Sequence, residues 1–327
     1  MNRFWMAFHK HKRTKYCISK KAFFCFRDID SHYIIQLFKF IQISIKHKNK
    51  FNYLPQRQFG ITQKDRTPRI IISVTSFPER LFSAEKAINT LLSQTVKPDR
   101  VILWLAGTQF PNKKKELSKG LLDLEKIGLE IRWCEDLKSY KKLVPALLEF
   151  KNDIIITADD DIYYPKDWLE SLYEAHLKYP QCIISRRICR ADIKRGRFII
   201  GSSHESIHKD YTRPSFFSQL MGGSGVLYPP NSLYKDIFDV NKIKTLIPTH
   251  DDIYFWAMAV LNKTKICAVK NDYDLNLYNV PNSEVYGLCK INNDISGMSP
   301  DRAFELILKE YPQIIDILNE EKNEQIV

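Results

Sequence analysis

Acid is nearly missing from the first 57 residues, where Asp28 and Asp30 stand against thirteen Lys and Arg. That segment carries +11 of the chain's net +12, so the rest of the 327 residues is almost neutral. Any nucleic-acid partner would have to be held by the N-terminal segment alone, and none is expected. Paired cysteine spacing is missing too. Cys17, Cys25, Cys134, Cys182, Cys189, Cys267 and Cys289 are odd in number and form no Cys-x-x-Cys. This argues against a disulfide framework or structural zinc and for thiols in a reducing compartment. No compact apolar core with a small-residue cleavage site follows the basic start, so no secretory leader is expected. The most apolar early run, Tyr33 to Ile45, is interrupted by Gln36, Lys39 and Gln42. It falls short of the roughly 20 residues that a membrane-crossing helix needs. Glycine is scarce, at 11 residues, and no Gly-x-x-x-x-Gly-Lys-Ser/Thr loop occurs, so a P-loop is excluded.

Residues 1–57 instead combine their positive charge with Phe4, Trp5, Phe8, Phe23, Phe24, Phe26, Phe38 and Phe40. Mixed basic and aromatic residues suit an anionic membrane surface, and the expectation is a basic helical appendage lying there. A helical subdomain packed on the body, with a solvated basic face, is the competing reading. The polar stretch from Gln56 to Pro68 reads as a linker.

From Arg69 the pattern alternates. Ile70–Thr75, Val101–Leu105, Leu129–Trp133 and Ile154–Thr157 read as strands, the β-branched runs as strands buried on both faces. Phe82–Gln94, Lys114–Lys126 and Tyr140–Phe150 read as the intervening helices. Such alternation implies right-handed crossovers and an α/β fold with a mainly parallel sheet flanked by helices. The body is expected over residues 68–298, with a C-terminal helix and tail over 299–327. In such sheets ligands bind at the carboxyl ends of strands. Thr75-Ser76, Cys134-Glu135-Asp136 and Asp159-Asp160-Asp161 all fall there.

Three adjacent carboxylates at a strand end repel one another and call for a counter-ion. A divalent cation such as Mn²⁺ or Mg²⁺ suits carboxylate oxygens and bridges to phosphates. Along an extended chain Asp159 and Asp161 share one side and Asp160 takes the other. The competing reading is a solvated turn that caps the next helix. In that helix Trp168, Leu169, Leu172, Tyr173 and His176 share a face and read as core. Met221-Gly-Gly-Ser-Gly-Val-Leu-Tyr-Pro-Pro230 brings backbone close to a ligand or forms only a tight turn. Thr249-His-Asp-Asp-Ile-Tyr-Phe-Trp256 reads as a helix start with Thr249 as its cap. Asp251 and Asp252 then either favour the helix dipole or do chemistry. His204 and His208 have a metal-ligand spacing in a segment that reads as loop.

Taken together, six pieces resemble bacterial glycosyltransferases of the GT-A, Rossmann-like fold, close to the family-two type of lipopolysaccharide and capsule synthesis. They are Ile72-Ser-Val-Thr-Ser-Phe-Pro-Glu-Arg80, Ser93-Gln-Thr95 with Pro98, Ser139-Tyr-Lys-Lys-Leu143 with Pro145-Ala146, Thr157-Ala-Asp-Asp-Asp-Ile-Tyr163, Gly222-Gly-Ser-Gly-Val-Leu-Tyr-Pro229 and His250-Asp-Asp252. The resemblance covers about Pro68 to Leu288. It places the triplet at the family's D-x-D motif, with Asp159 facing a nucleotide sugar and Asp161 holding the metal. It implies that Thr75, Ser76, Arg80 and Asp160 lie beside the nucleotide, and that Asp136 and Lys142 hold its base or diphosphate. It sets Gly222, Gly223 and Ser224 at the acceptor and makes Asp251 or Asp252 the base of an inverting reaction. A late metal-ligating His found in some members is missing after His250, which leaves the metal to Asp161, diphosphate and water.

The expected activity is metal-dependent transfer from a nucleotide sugar, a UDP-sugar, to a hydroxyl of a glycan or lipid-linked glycan. The expected place is cytoplasmic, peripheral at the inner face of the cell membrane. A nucleotidyltransferase is the rival enzyme, but it would carry a Gly-rich basic loop after the first strand, where Thr75-Ser-Phe-Pro-Glu-Arg80 has no glycine. A dead transferase domain acting as a membrane scaffold is the non-enzyme rival, disfavoured by the retention of both acid clusters.

Overall fold

The computed structural model describes residues 60–194, 197–286 and 298–324, together with four strands between residues 18 and 46. Met1–Asn52 and Tyr53–Val327 are separate compact units, so the break falls five residues before the expected boundary at Arg57.

In the first unit the described segments are strands, which corrects the expected helical appendage. β1 (Ile18–Ser19), β2 (Ala22–Ile29), β3 (His32–Leu37) and β4 (Ile41–Lys46) form an antiparallel meander in chain order. The reason is legible in the local sequence. Ile41-Gln-Ile-Ser-Ile-Lys46 alternates apolar and polar residues with the period of a strand, not of a helix. β2 and β3 pair from Phe24–Leu37 to Ile29–His32.

The second unit is α/β. Its seven-stranded sheet has the order β14-β9-β13-β8-β5-β6-β7. The strands are β5 (Ile70–Thr75), β6 (Arg100–Ala106), β7 (Leu129–Cys134), β8 (Ile154–Ala158), β9 (Ile183–Ser185), β13 (Val226–Tyr228) and β14 (Ile266–Ala268). All neighbours run parallel except β13, which is antiparallel to both β8 and β9. A smaller antiparallel sheet orders β11 (Arg197–Ile200), β10 (Ile188–Lys194) and β12 (Ser218–Leu220).

Apolar residues fill both faces of the large sheet, so its strands alternate between two cores. Ile71, Ile102 and Ile155 enter one; Ile70, Ile72, Val74, Val101, Leu103, Ile154 and Ile156 enter the other. Two helices cover the second face. α1 (Leu81–Leu91) buries Ala84, Ala87, Ile88 and Leu91, and a later helix (Trp168–Lys178) buries Trp168, Leu169 and Leu172. The expected helix over Lys114–Lys126 is instead a five-residue α2 (Lys119–Asp123) between two 3-10 turns. The Ser118 hydroxyl caps it by accepting the Leu121 N–H. α3 (Val144–Glu149) is likewise shorter than expected, with a 3-10 turn over Lys138–Lys142 before it. The Trp168–Lys178 helix is α4; α5 (Val240–Thr245) and α6 (Asp251–Leu261) follow.

α6 is buried on nearly every side from Ile253 to Val260, as an all-apolar helix must be. Two helices, α7 (Pro300–Glu310) and α8 (Gln313–Glu324), stand where one helix and a tail were expected. Phe304, Ile307, Ile314 and Leu318 join the same core as α6. Glu321 is buried and accepts the Phe216 N–H at 2.8 Å. The C-terminal stretch is thus built into the body and not appended to it. Among the described residues no helix is long and apolar enough to cross a membrane.

Candidate active site

The strand order reverses between β5 and β8: β6 and β7 follow on one side of β5, and β8 lies on the other. At such a point two parallel strands release their chains in opposite directions and leave a crevice at their carboxyl ends. Ser76 leaves β5 there, and Asp159, Asp160 and Asp161 leave β8. Backbone direction therefore sets the acid triplet against the start of the Pro78–Arg80 turn.

Asp160 points inward. Its carboxylate accepts the Ser76 hydroxyl at 2.5 Å and pairs with the Arg80 guanidinium at 2.8 Å, and all three residues are buried. Burial raises the Asp160 carboxyl above the usual carboxylate range against the pull of Arg80. Asp159 and Asp161 keep more contact with solvent, at 32% and 18% side-chain exposure against 7% for Asp160. That is the alternation expected of an extended chain. Asp161 pairs with Arg80 at 2.5 Å and Asp159 with Lys142 at 2.7 Å. Burial and the neighbouring Asp159 charge push the Asp161 carboxyl up to about 7.

Lys142 links this triplet to a second pair of acids. Its ammonium lies 3.0 Å from Asp251 as well as 2.7 Å from Asp159. Burial alone would lower it, but the charges of Asp159, Asp251 and Asp252 outweigh burial and hold it well above its ordinary value. Asp251 also accepts the Ser139 hydroxyl at 2.9 Å. His250, not Thr249, occupies the cap of α6 and makes no side-chain capping bond. Its Nε2 meets the Met298 carbonyl at 2.8 Å. Asp252 differs from its neighbour. One oxygen accepts the Gly222 N–H at 2.9 Å, while the other is buried with no hydrogen-bond partner. Burial and the Asp251 charge push the Asp252 carboxyl up to about 7.

The glycine loop closes over these acids because it has no side chains. A Cβ on Gly222 would stand 2.3 Å from Asp252 Oδ1 and 2.9 Å from Lys142 Nζ. Gly225 has φ +101°, and a Cβ there would meet the Trp168 indole at 2.4 Å. Gly222→Ala is therefore expected to displace Asp252 while the fold survives. Near-ultraviolet circular dichroism should be preserved and turnover lost, in contrast to Gly225→Ala, which should lower thermal stability outright.

Tyr164 and Ser139, given no role from sequence, are part of the site. The Tyr164 hydroxyl accepts the Asp159 N–H at 2.7 Å and donates to the Gly223 carbonyl at 3.2 Å. Burial and the Asp159 charge keep its phenol neutral. It thereby ties the acid triplet to the glycine loop.

Other expected residues stand apart. Asp136 binds Lys141 at 2.5 Å, the Lys138 N–H at 3.0 Å and the Gln109 amide at 3.2 Å, and none of the triplet. Burial would raise its carboxyl, but the Lys141 and Lys138 bonds hold it below the usual range. The Thr75 hydroxyl is spent on the Trp104 carbonyl at 2.9 Å. Ser224 is buried; its hydroxyl donates to the Met221 carbonyl at 2.6 Å and accepts the Arg187 N–H at 3.1 Å. His176 packs in α4 as expected, its ring lowered in pKa by burial. Cys134, Cys182, Cys189 and Cys267 are free thiols.

No group of three or more His, Cys, Asp or Glu among the described residues forms a metal cage. The donor set still fits a divalent ion. Five carboxylates share the site with two cations, Arg80 and Lys142, and two of those carboxyls are driven up to about 7. Mg²⁺-type sites commonly take one or two carboxylates, with phosphate and water completing the shell.

No protein family matches this sequence, and no curated protein does. Among solved structures it is similar to the mannosyltransferase PcManGT from Pyrobaculum calidifontis in complex with GDP-Man and Mn²⁺. That similarity has 13% identity, 72% of this chain, 63% of that chain and a TM-score of 0.43. It is also similar to S. aureus TarS 1–349 in complex with UDP, at 16% identity, 77% of this chain, 70% of that chain and a TM-score of 0.44. A third similarity is to S. aureus TarS 1–349 in complex with UDP-GlcNAc, at 13% identity, 62% of this chain, 56% of that chain and a TM-score of 0.35. The chain spans 63% of the length of the mannosyltransferase.

Proposed function

We propose that this chain is a glycosyltransferase of the GT-A type that moves a sugar from a nucleotide sugar, a UDP-sugar, to a hydroxyl of a cell-surface glycan or lipid-linked glycan. The observation that carries the reading is the division of labour across Lys142. On one side lies a cluster of carboxylates at the sheet's switch point. On the other lies the half-buried Asp252, with one buried oxygen that has no partner and a pKa held up to about 7. The first suits a metal–diphosphate; the second suits a general base.

Asp159 and Asp161 would hold Mn²⁺ or Mg²⁺, which supplies positive charge to a leaving diphosphate when bound. Arg80 keeps Asp160 and Asp161 in place, and Ser76 fixes the back of Asp160. Asp252 takes the proton of the acceptor hydroxyl. The acceptor oxygen then bonds to the anomeric carbon as the bond from that carbon to the diphosphate oxygen breaks, and the electron pair leaves with the nucleoside diphosphate. Attack opposite the leaving group inverts the anomeric centre. Gly222 and Gly223 border the acceptor, with the Gly222 N–H aiming the base. Asp251, held by Lys142 and Ser139, serves as the fixed charge that keeps Lys142 between the two clusters. The positive surplus of residues 1–57 supports a place at an anionic membrane surface, where lipid-linked glycans of the lipopolysaccharide or capsule kind are built.

The test is calorimetric. UDP should bind the wild-type chain with Mn²⁺ and bind at least tenfold more weakly without it. Asp161→Ala should abolish the metal dependence. Unchanged Mn²⁺-dependent UDP binding by Asp161→Ala would remove the triplet from the donor site.

A further inference from the structure

Beside the glycine loop lies a cavity of about 340 Å³ whose wall includes Arg187, Ser203, His204, Met221, Asn276 and Asn279. Met221 immediately precedes Gly222, whose N–H holds Asp252. The cavity therefore lies between the glycine loop and the Asn276–Asn279 segment, whose Asn279 bridges to Ile162 just after the acid triplet. Its polar lining is rich in donors, and no acidic side chain is part of it.

Arg187 is the unusual member. It is 4% exposed, yet among the described residues it forms no ion pair with a carboxylate. Its Nη2 donates to the Ser203 hydroxyl at 3.1 Å, and its Nε is buried with no partner. Burial lowers the guanidinium pKa, and no carboxylate works against it. Buried arginines are ordinarily paired, because an isolated buried charge is costly. Arg80 follows that rule with two carboxylates. Arg187 is instead fixed by neutral groups: its backbone N–H donates to Ser224 Oγ at 3.1 Å and its carbonyl accepts the Ser185 hydroxyl at 2.6 Å. The loop that aims Asp252 and the arginine that faces the cavity are thus one braced unit.

We infer that this cavity is an anion subsite beside the glycine loop, in which Arg187 receives a phosphate or carboxylate carried by the acceptor glycan. The shared chemistry is a planar or tetrahedral oxyanion able to accept two guanidinium hydrogens while His204, Asn276 and Asn279 donate around it. A phosphodiester-linked glycan and a uronic-acid-containing glycan both offer such a group. Its role as an acceptor site rests on the transferase reading above; its affinity for anions does not.

Three probes separate the possibilities: methyl glucoside, methyl glucoside 6-phosphate and methyl glucuronide. Each is titrated by ligand-observed NMR into the full chain, with and without saturating UDP and Mn²⁺, so that phosphate binding on the donor side is blocked in one arm. At least one anionic probe should bind about tenfold or more tightly than the neutral one in the presence of UDP and Mn²⁺, and the tighter of the two names the anion. Arg187→Gln should erase the preference while keeping UDP affinity, and Arg187→Lys should keep part of it. Equal binding of all three probes by the wild-type chain overturns the inference without need of a variant, as does a preference that survives in Arg187→Gln. UDP binding with no anion preference sinks this subsite and leaves the transferase reading standing. An Arg187-dependent preference in a chain that binds no UDP keeps the subsite and sinks the transferase reading.

Discussion

Asp252→Asn is expected to lower turnover by about 10²–10⁴-fold, the usual contribution of a positioned base, while UDP binding is unchanged. The amide is isosteric and can still face the Gly222 N–H through its carbonyl oxygen, so the loop keeps its place. Asp251→Asn should act differently. It removes a partner of Lys142 and Ser139, so its effect should appear in stability as well as in rate. The wild-type pH profile carries the same claim. The groups acting with or on Asp252 are Asp251, Lys142 and Asp159, and it faces the neutral side chains of Tyr140, Tyr228 and Cys189. With its carboxyl held up to about 7, turnover at saturating Mn²⁺ and donor, where the metal keeps Asp161 ionised, should climb about tenfold per pH unit below that value and level off above it.

Stability should run the other way. An unfolded Asp releases its proton near 3.9, whereas folded Asp252 keeps its proton up to about 7. Between those values the unfolded chain binds fewer protons, so this group's contribution to stability falls as pH rises through the window. Asp252→Asn should therefore raise the melting temperature at pH 8 and leave it nearly unchanged at pH 4. A variant that loses activity and stability together at pH 8 would instead mark Asp252 as a structural carboxylate.

The second large effect is expected at Lys142. Lys142→Met would leave Asp159, Asp251 and Asp252 without the cation they share at 5% side-chain exposure. Removing one partner of a buried ion pair costs about 3–5 kcal/mol. Urea unfolding at pH 8 should show a loss of that order. Adding Asp251→Asn to the same chain should recover part of it, because the uncompensated charge is then removed. Strict additivity of the two substitutions would mean that Lys142 and Asp251 do not act as a pair.

Much of this centre was readable in order but not in pairing. β5 and β8 announce themselves by β-branched runs, β6 by an apolar run and β7 by alternation, and their ends fall within two residues of the sequence reading. The alternation of Asp159, Asp160 and Asp161 across the strand axis followed from backbone geometry alone. The three-residue strands β9, β13 and β14 did not, because no periodicity can show in so short a run. Without β13 the close approach of the glycine loop to Asp252 is invisible.

The helical form expected of the N-terminal segment failed for another reason. Its basic and aromatic composition suggested a membrane-facing helix, whereas the strict alternation of Ile41-Gln-Ile-Ser-Ile-Lys46 encodes a strand. Periodicity outweighed composition there. Arg187 could not be singled out at all from sequence. Its interest lies in a missing partner, and partners are set by tertiary packing.

The central claim is sugar transfer from a nucleotide donor, and product release tests it most directly. The purified chain is incubated with a panel of UDP- and GDP-sugars, with and without Mn²⁺, and the nucleotide products are resolved by chromatography. The account predicts Mn²⁺-dependent release of free nucleoside diphosphate from a UDP-sugar by the wild-type chain and none by Asp161→Ala. Release of a nucleoside monophosphate instead, or equal nucleoside diphosphate release by wild type and Asp161→Ala, would contradict it.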